Sequence, residues 1–213
     1  MTNYVTRQAA ALAVTRGLDR YSELIWSGFF EKEFSDISGK TIVDMGCGDG
    51  RYTSDLINRN TYHGVDCSCN AKAATITSWV ESIPLPDGCA DEVIAIGILD
   101  YSDPDATVKE AFRLLKEGGN LRVMVPNTMS PYHLPRVLFT RYKKTFVWGE
   151  LIDLVNSNGF KMTGDHEDGI CFYLPGVFLQ ELFIPIYMGL NRFLGGFLGN
   201  NIYIKAVKKT TTI

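Results

Sequence analysis

The chain has 213 residues, with 46% apolar and 21% charged positions and a net charge of -3. That balance excludes a disordered tract, a coiled coil and a strongly basic nucleic-acid binder, and at ~150 residues per domain the whole chain, 1–213, reads as one domain. A chain this long buries roughly 70% of its unfolded surface, so it needs no disulfide or metal staple.

Residues 1–38 read as a helical cover. Leu18, Tyr21, Ile25 and Phe29 recur at helical spacing, Trp26 and Phe30 widen the apolar stripe, and Ser38-Gly39 breaks it. Strand and helix then alternate. Thr41 to Met45 (TIVDM) is a short β-branched run ending in a glycine loop, and Arg51 to Asn58 is the helix after it. Tyr62 to Asp66 (YHGVD) is a second strand ending in an acid, Ala74 to Trp79 a third, and Glu92 to Ile96 (EVIAI) a fourth with the apolar run of a strand covered on both faces. Asp105 to Lys116 is a helix that Gly118-Gly119 is expected to cap. Leu121 to Val125 is the fifth strand, stopped by Pro126. Val147 to Asn158 is another helix with Gly159 as its stop, and strands near Phe160 to Thr163 and Ile202 to Val207 close the chain. This alternation predicts an α/β fold, a doubly wound, mostly parallel seven-stranded sheet with N-terminal helices and an apolar insertion before the last strand. Residues 39–125 form its ligand-binding core and 126–213 the substrate side, with the ligand at the carboxyl ends of the strands.

The five cysteines, Cys47, Cys67, Cys69, Cys89 and Cys171, form no C-x-x-C pair. Cys67 and Cys69 make a C-x-C with no second pair at zinc-finger spacing, so no metal is expected. Small apolar cysteines in a reducing compartment and the lack of a secretory pattern in MTNYVTRQAAALAVTRG point to the cytoplasm.

The loop Asp44-Met45-Gly46-Cys47-Gly48-Asp49-Gly50-Arg51 joins a strand to a helix, the setting in which a glycine motif means backbone contact with a ligand. Asp66, at the end of the next strand, is placed to accept hydrogen bonds from two ribose hydroxyls. A dinucleotide fingerprint needs glycine where Arg51 stands, and Asp49 puts an anion where a pyrophosphate would sit. A ribose ligand without phosphates and with a positive charge fits better, and S-adenosylmethionine is such a ligand.

VDMGCGDG, GVDCS, SIPLPDGCADEVIA and FRLLKEGGNLRVMVPN occur in that order. In these motifs, from about Thr41 to Phe160, the chain resembles the class I S-adenosylmethionine-dependent methyltransferases, nearest the small-molecule branch of the ubiquinone and menaquinone biosynthesis enzymes, whose sheet is Rossmann-like. The resemblance implies that Asp44, Gly46 and Gly48 hold the methionine end of the cofactor and that Gly50 makes the turn into the helix. It also implies that Asp66 binds the ribose, that Cys67 and the backbone of Val80 line the adenine, and that Gly97 faces the cofactor's amino acid. Trp79 stands where the family carries an acid for the adenine amino group; it either stacks there or packs in the core. The span from Asp66 to Asp87 is short for the family, so the helix after the second strand should be reduced.

Methyl transfer to an activated sulfonium carbon needs alignment above all, and an oxygen acceptor of high pKa also needs a base. Tyr101, in Leu99-Asp100-Tyr101, and His133, in the expected substrate-covering segment, are the catalytic candidates; a pocket-wall tyrosine and a solvated histidine are the plainer readings. His63 reads as structural, and His166 as part of a solvated acidic turn. No N-P-P-Y-like tetrapeptide follows the fourth strand, so nucleic acid is not an expected partner.

Residues 170–198 (ICFYLPGVFLQELFIPIYMGLNRFLGGFL) are unusually apolar, but prolines and charges cut them into runs too short to span a bilayer. They complete the core or a homodimer contact, line a pocket for an apolar substrate, or make a peripheral membrane contact. The expected activity is methylation of a small, lipophilic molecule. The rivals are a catalytically silent cofactor-binding or partner-binding protein and, further off, an NAD-dependent oxidoreductase.

Overall fold

β-branched and apolar runs build the sheet of the computed structural model, which describes residues 29–130, 145–163 and 201–210. In chain order the elements are β1 (Thr41–Met45), α1 (Ser54–Ile57), β2 (Thr61–Asp66), β3 (Ile76–Thr77), β4 (Ala90–Ile96), α2 (Pro104–Leu114), β5 (Leu115–Pro126), α3 (Trp148–Ser157), β6 (Phe160–Met162) and β7 (Asn201–Lys208). They form a seven-stranded sheet in the order β3-β2-β1-β4-β5-β7-β6, in which β7 runs antiparallel to its neighbours β5 and β6 and the other described pairings are parallel. The chain leaves β1 toward β2 on one side and returns to β4 on the other. The topological switch therefore falls between β1 and β4, where a ligand crevice opens at the carboxyl ends of the strands.

Side-chain alternation along the strands separates two covered faces. On one, Val43, Met45, Val93, Ala95, Leu121, Val123 and Ile204 pack with residues of α2 and α3 such as Val108, Leu151 and Val155. On the other, Ile42, Ile94, Met124 and Tyr203 pack against Phe30, Phe34 and Ile37. The last three belong to a helical turn at 29–33 and the segment that follows it, the described part of the expected N-terminal cover. Leu18, Tyr21, Ile25 and Trp26 lie outside the described residues, as do His133, His166, Cys171 and the apolar stretch 170–198. Among the described residues no helix is long and apolar enough to cross a membrane.

Three local expectations need correction. The helix after the glycine loop is only four residues long, preceded by turns at 51–53, and Thr53 turns its hydroxyl to Asp44 and provides no side-chain cap for α1. The third strand shrinks to Ile76–Thr77, while residues 67–75 form turns, as the short span after Asp66 implied. Gly118-Gly119 do not cap α2. The helix ends at Leu114, the extended Leu115 runs straight into β5, and both glycines sit where the β4–β5 register jumps from Ala90 opposite Leu115 to Glu92 opposite Asn120. The end of α2 is closed from a distance: Lys208, at the end of β7, donates Nζ to the carbonyls of Phe112 (3.0 Å) and Leu115 (2.8 Å). At its other end α2 starts as a helix should, with Asp103 accepting from the N–H groups of Asp105 and Ala106 and Pro104 in the first turn.

Candidate functional site

The loop between β1 and α1 needs glycine for conformational reasons. Gly46, Gly48 and Gly50 all have positive φ, at 75°, 54° and 75°. At Gly46 space is also short, since a Cβ there would lie 2.7 Å from the side chain of Ile98, just past β4. The loop and the crevice above β4 are thus in van der Waals contact. Gly46 and Cys47 both donate their backbone N–H to the carbonyl of Val65, which binds the loop to the end of β2.

A recess of about 150 Å³ opens here, lined by Asp44, Gly46, Cys47, Gly48, Asp49, Arg51, Tyr52, Thr53 and Ile96. Asp44 is buried at its base. Its Oδ2 accepts from Tyr62 Oη at 2.6 Å and from Thr53 Oγ1 at 2.8 Å. Burial pushes its carboxyl up to about 6, against the pull of those two hydroxyls and with a push from Asp66. Burial, followed by the charges of Asp44 and Asp66, pushes the Cys47 thiol up to about 12, so Cys47 is a neutral wall and not a nucleophile. Asp49 is held below its usual range by the hydrogen bonds of Arg51, which grips it through Nε and Nη2. The guanidinium at the rim is thereby already matched by a carboxylate.

Asp66 lies beside this recess and organises it. Its Oδ2 accepts the N–H of Gly48 at 3.1 Å and its Oδ1 the N–H of Ser68 at 2.8 Å, so the acid at the end of β2 clamps the glycine loop to the turn that follows. Each oxygen keeps further lone-pair capacity for a hydroxyl. Asp44, Gly46, Gly48 and Asp66 are therefore brought together. Gly50 faces the other way: a Cβ on it would meet Ala73 at 2.7 Å, so its role is to let the 67–75 turns close over the loop.

The remaining expected residues sit around this centre. Cys67 is half-buried directly after Asp66, and Val80 is a core residue at 5% exposure. Trp79 is 60% exposed, which overturns the core alternative for it and leaves the indole face open. Gly97 has φ 63° with open space above it, and its N–H is taken by the carbonyl of Met124. Tyr101 stands in the turn after β4 at 44% exposure. Asp100 beside it is 5% exposed and carries an oxygen with no hydrogen-bond partner among the described residues.

The residues missed from sequence are Thr53, Tyr62, Arg51 and Tyr52. The signal for Tyr62 is strand register. β1 and β2 are parallel with Ile42 opposite Tyr62 and Asp44 opposite Gly64, so Tyr62 and Asp44 share one sheet face, and the missing side chain of Gly64 makes room for the Tyr62 ring, which a Cβ there would meet at 2.9 Å.

Residues 43–123 match a family model described as a methyltransferase domain. The ubiquinone/menaquinone biosynthesis C-methyltransferase UbiE of Xylella fastidiosa (strain M23) is 26% identical over 139 residues, covering 53% of this chain and 55% of that protein. The chain thus spans about half the length of the curated relative it matches. Among solved structures, an S-adenosylmethionine-dependent methyltransferase of Thermotoga maritima superposes with a TM-score of 0.66 at 20% identity, over 95% of this chain and 97% of the other. The 1,6-didemethyltoxoflavin-N1-methyltransferase of Burkholderia thailandensis, solved with 1,6-didemethyltoxoflavin and S-adenosylhomocysteine, gives 0.61 at 14% identity over 98% and 90%. The chain carries the fold of the class I S-adenosylmethionine-dependent methyltransferases, and its central segment is similar to their methyltransferase domain.

Proposed function

We propose that this protein is an S-adenosylmethionine-dependent methyltransferase acting on a small, lipophilic acceptor. The observation that carries the reading is the pair of buried acids, Asp44 and Asp66, at the carboxyl ends of adjacent strands, one in the wall of the glycine-loop recess and one clamping that loop. Such a site suits a ribose and an ammonium or sulfonium group. It does not suit a pyrophosphate, because the anions already present oppose one and Arg51, the cation that lines the recess among the described residues, is paired to Asp49. Asp44 would face the cationic amino-acid end, Asp66 the ribose hydroxyls, Cys67 and the backbone of Val80 the adenine edge, with the exposed indole of Trp79 stacking on it. The cofactor supplies the electrophilic methyl group, and the chain's part is to align it with an acceptor beside Gly97 and Tyr101. Lipophilicity of the acceptor rests on the apolar composition of residues 170–198.

The test is a thermal-shift titration with S-adenosylhomocysteine beside NAD and NADP, on the wild type and on Asp66→Ala. Mass action gives about 2.7 kcal/mol of stabilisation at a hundredfold excess over Kd. The expected outcome is a shift with S-adenosylhomocysteine alone, and an affinity lowered about 10- to 100-fold in Asp66→Ala for the loss of a charge-assisted contact. A shift with NAD and none with S-adenosylhomocysteine would overturn the reading.

A further inference from the structure

Asp44 is held by two hydroxyls that come from outside the glycine motif. Tyr62 reaches it from β2 and Thr53 from the turn before α1, and the two hydroxyl oxygens are themselves 3.2 Å apart. Both bonds fall on Oδ2, so Oδ1 has no donor among the described residues on an acid that lines the recess. The environment otherwise opposes a charge at Asp44. From β2, Asp66 adds a second carboxylate, and from the loop Cys47 presents a neutral thiol. Ile94 and Ile96 from β4 are apolar, and at the rim Arg51 is engaged by Asp49. The phenol of Tyr62 is itself driven upward, by burial first and then by the charge of Asp44, so it stays a donor at every working pH.

We propose that Tyr62 and Thr53 are positioning residues that hold Asp44 as an oriented carboxylate with Oδ1 turned to the recess, and that the Tyr62 hydroxyl sets the pH below which the site releases a ligand bearing an ammonium group. The inference rests on the proposed function for the ligand's identity, and its geometry stands without it. Two hydroxyl donors stabilise the anion of a buried acid more than its neutral form, because hydrogen bonds to a charged acceptor are the stronger ones. With Asp44 pushed up to about 6, the carboxylate needed by a cationic ligand is present above that pH and is lost as the solution is acidified through it. Removing a donor moves the loss upward toward neutrality.

The experiment has two arms. In the first, S-adenosylhomocysteine is titrated calorimetrically between pH 5 and 7.5 into the wild type, Tyr62→Phe, Thr53→Val and Asp44→Asn. The wild type should lose affinity on the acid side, with Tyr62→Phe moving that loss up by about one pH unit, the scale of one hydrogen bond to a charged group. At pH 6.5 this is about a threefold deficit against the wild type, shrinking toward pH 7.5. Thr53→Val should move in the same direction, and Asp44→Asn should bind weakly with no acid-side loss. If Tyr62→Phe weakens binding by one factor at every pH, or if Asp44→Asn keeps the acid-side loss, the proposal is overturned. The second arm needs no ligand: carboxyl carbon-13 NMR of the free protein, with the Asp44 signal assigned from Asp44→Asn. Its titration midpoint should rise by about one pH unit in Tyr62→Phe. An unmoved midpoint overturns the positioning role. A moved midpoint with no uptake of S-adenosylhomocysteine by the wild type upholds the positioning of Asp44, while the ligand reading and the functional proposal fall together.

Discussion

Replacing Arg122 by methionine should destabilise the protein by about 3–5 kcal/mol, the range for stranding a buried carboxylate. Arg122 is on β5, 1% exposed, under the N-terminal segment. Its Nε donates to Glu92 of β4 at 2.9 Å. Its Nη1 donates to the carboxylate (2.6 Å) and the carbonyl (3.0 Å) of Glu33, and its guanidinium lies 5.6 Å from the centre of the Phe34 ring. Tyr203 of β7 closes the circuit by donating to the same Glu33 oxygen at 2.9 Å. One guanidinium therefore joins two central strands to the cover that packs on them. Methionine fills the volume and leaves Glu92, itself 4% exposed, with Asn120 as its remaining side-chain donor among the described residues. Urea unfolding followed by circular dichroism measures the loss. The double variant Arg122→Met with Glu92→Leu should recover much of it, because a buried ion pair replaced on both sides by apolar groups is often neutral. A loss below about 1 kcal/mol in the single variant would mean that Glu92 finds water or another donor.

That network shows where the sequence stops being readable. Strands β1, β2, β4 and β5 announce themselves as short β-branched or apolar runs, and the glycine loop followed by Asp66 marks the ligand end of the sheet. Arg122, by contrast, is a lone charge in the apolar run of β5, and Glu92 stands beside Asp91 at the head of the apolar run of β4. Nothing local says that they meet, and only the β4–β5 register, with Glu92 opposite Asn120 and Ile94 opposite Arg122, brings them together. Tyr62 is hidden in the same way, since its partner Asp44 is a strand away. The glycine pair at 118–119 misleads because two glycines after an amphipathic helix usually end it, whereas here they serve a register shift and a lysine from β7 closes the helix. Periodicity and turn chemistry report on neighbours along the chain; pairings across the sheet follow from register, which the long-range fold decides.

Asp100→Asn should stabilise the protein in alkaline solution and leave it nearly unchanged in acid. Asp100 follows β4 at the topological switch, and its Oδ1 is buried with no hydrogen-bond partner among the described residues. Burial pushes its carboxyl up to about 7, from an ordinary value of 3.8. The folded pKa therefore lies above the unfolded one. Between those two values the native state keeps a proton that the unfolded chain gives up, so stability falls as pH rises through the window, and the full penalty is present above about 7. Asparagine has no charge to bury. The variant should gain about 2–4 kcal/mol at pH 8.5, from about 1.36 kcal/mol for each pH unit of that window, reduced for relaxation and water entry, and about nothing at pH 4. Urea midpoints for both proteins across pH 4 to 8.5 give the difference curve. A flat curve, or a variant that is weaker at pH 8.5, would show that the carboxylate is satisfied in solution. A curve that climbs up to about pH 7 and levels above it would locate a standing electrostatic cost in the turn after β4, set by the burial of one carboxylate.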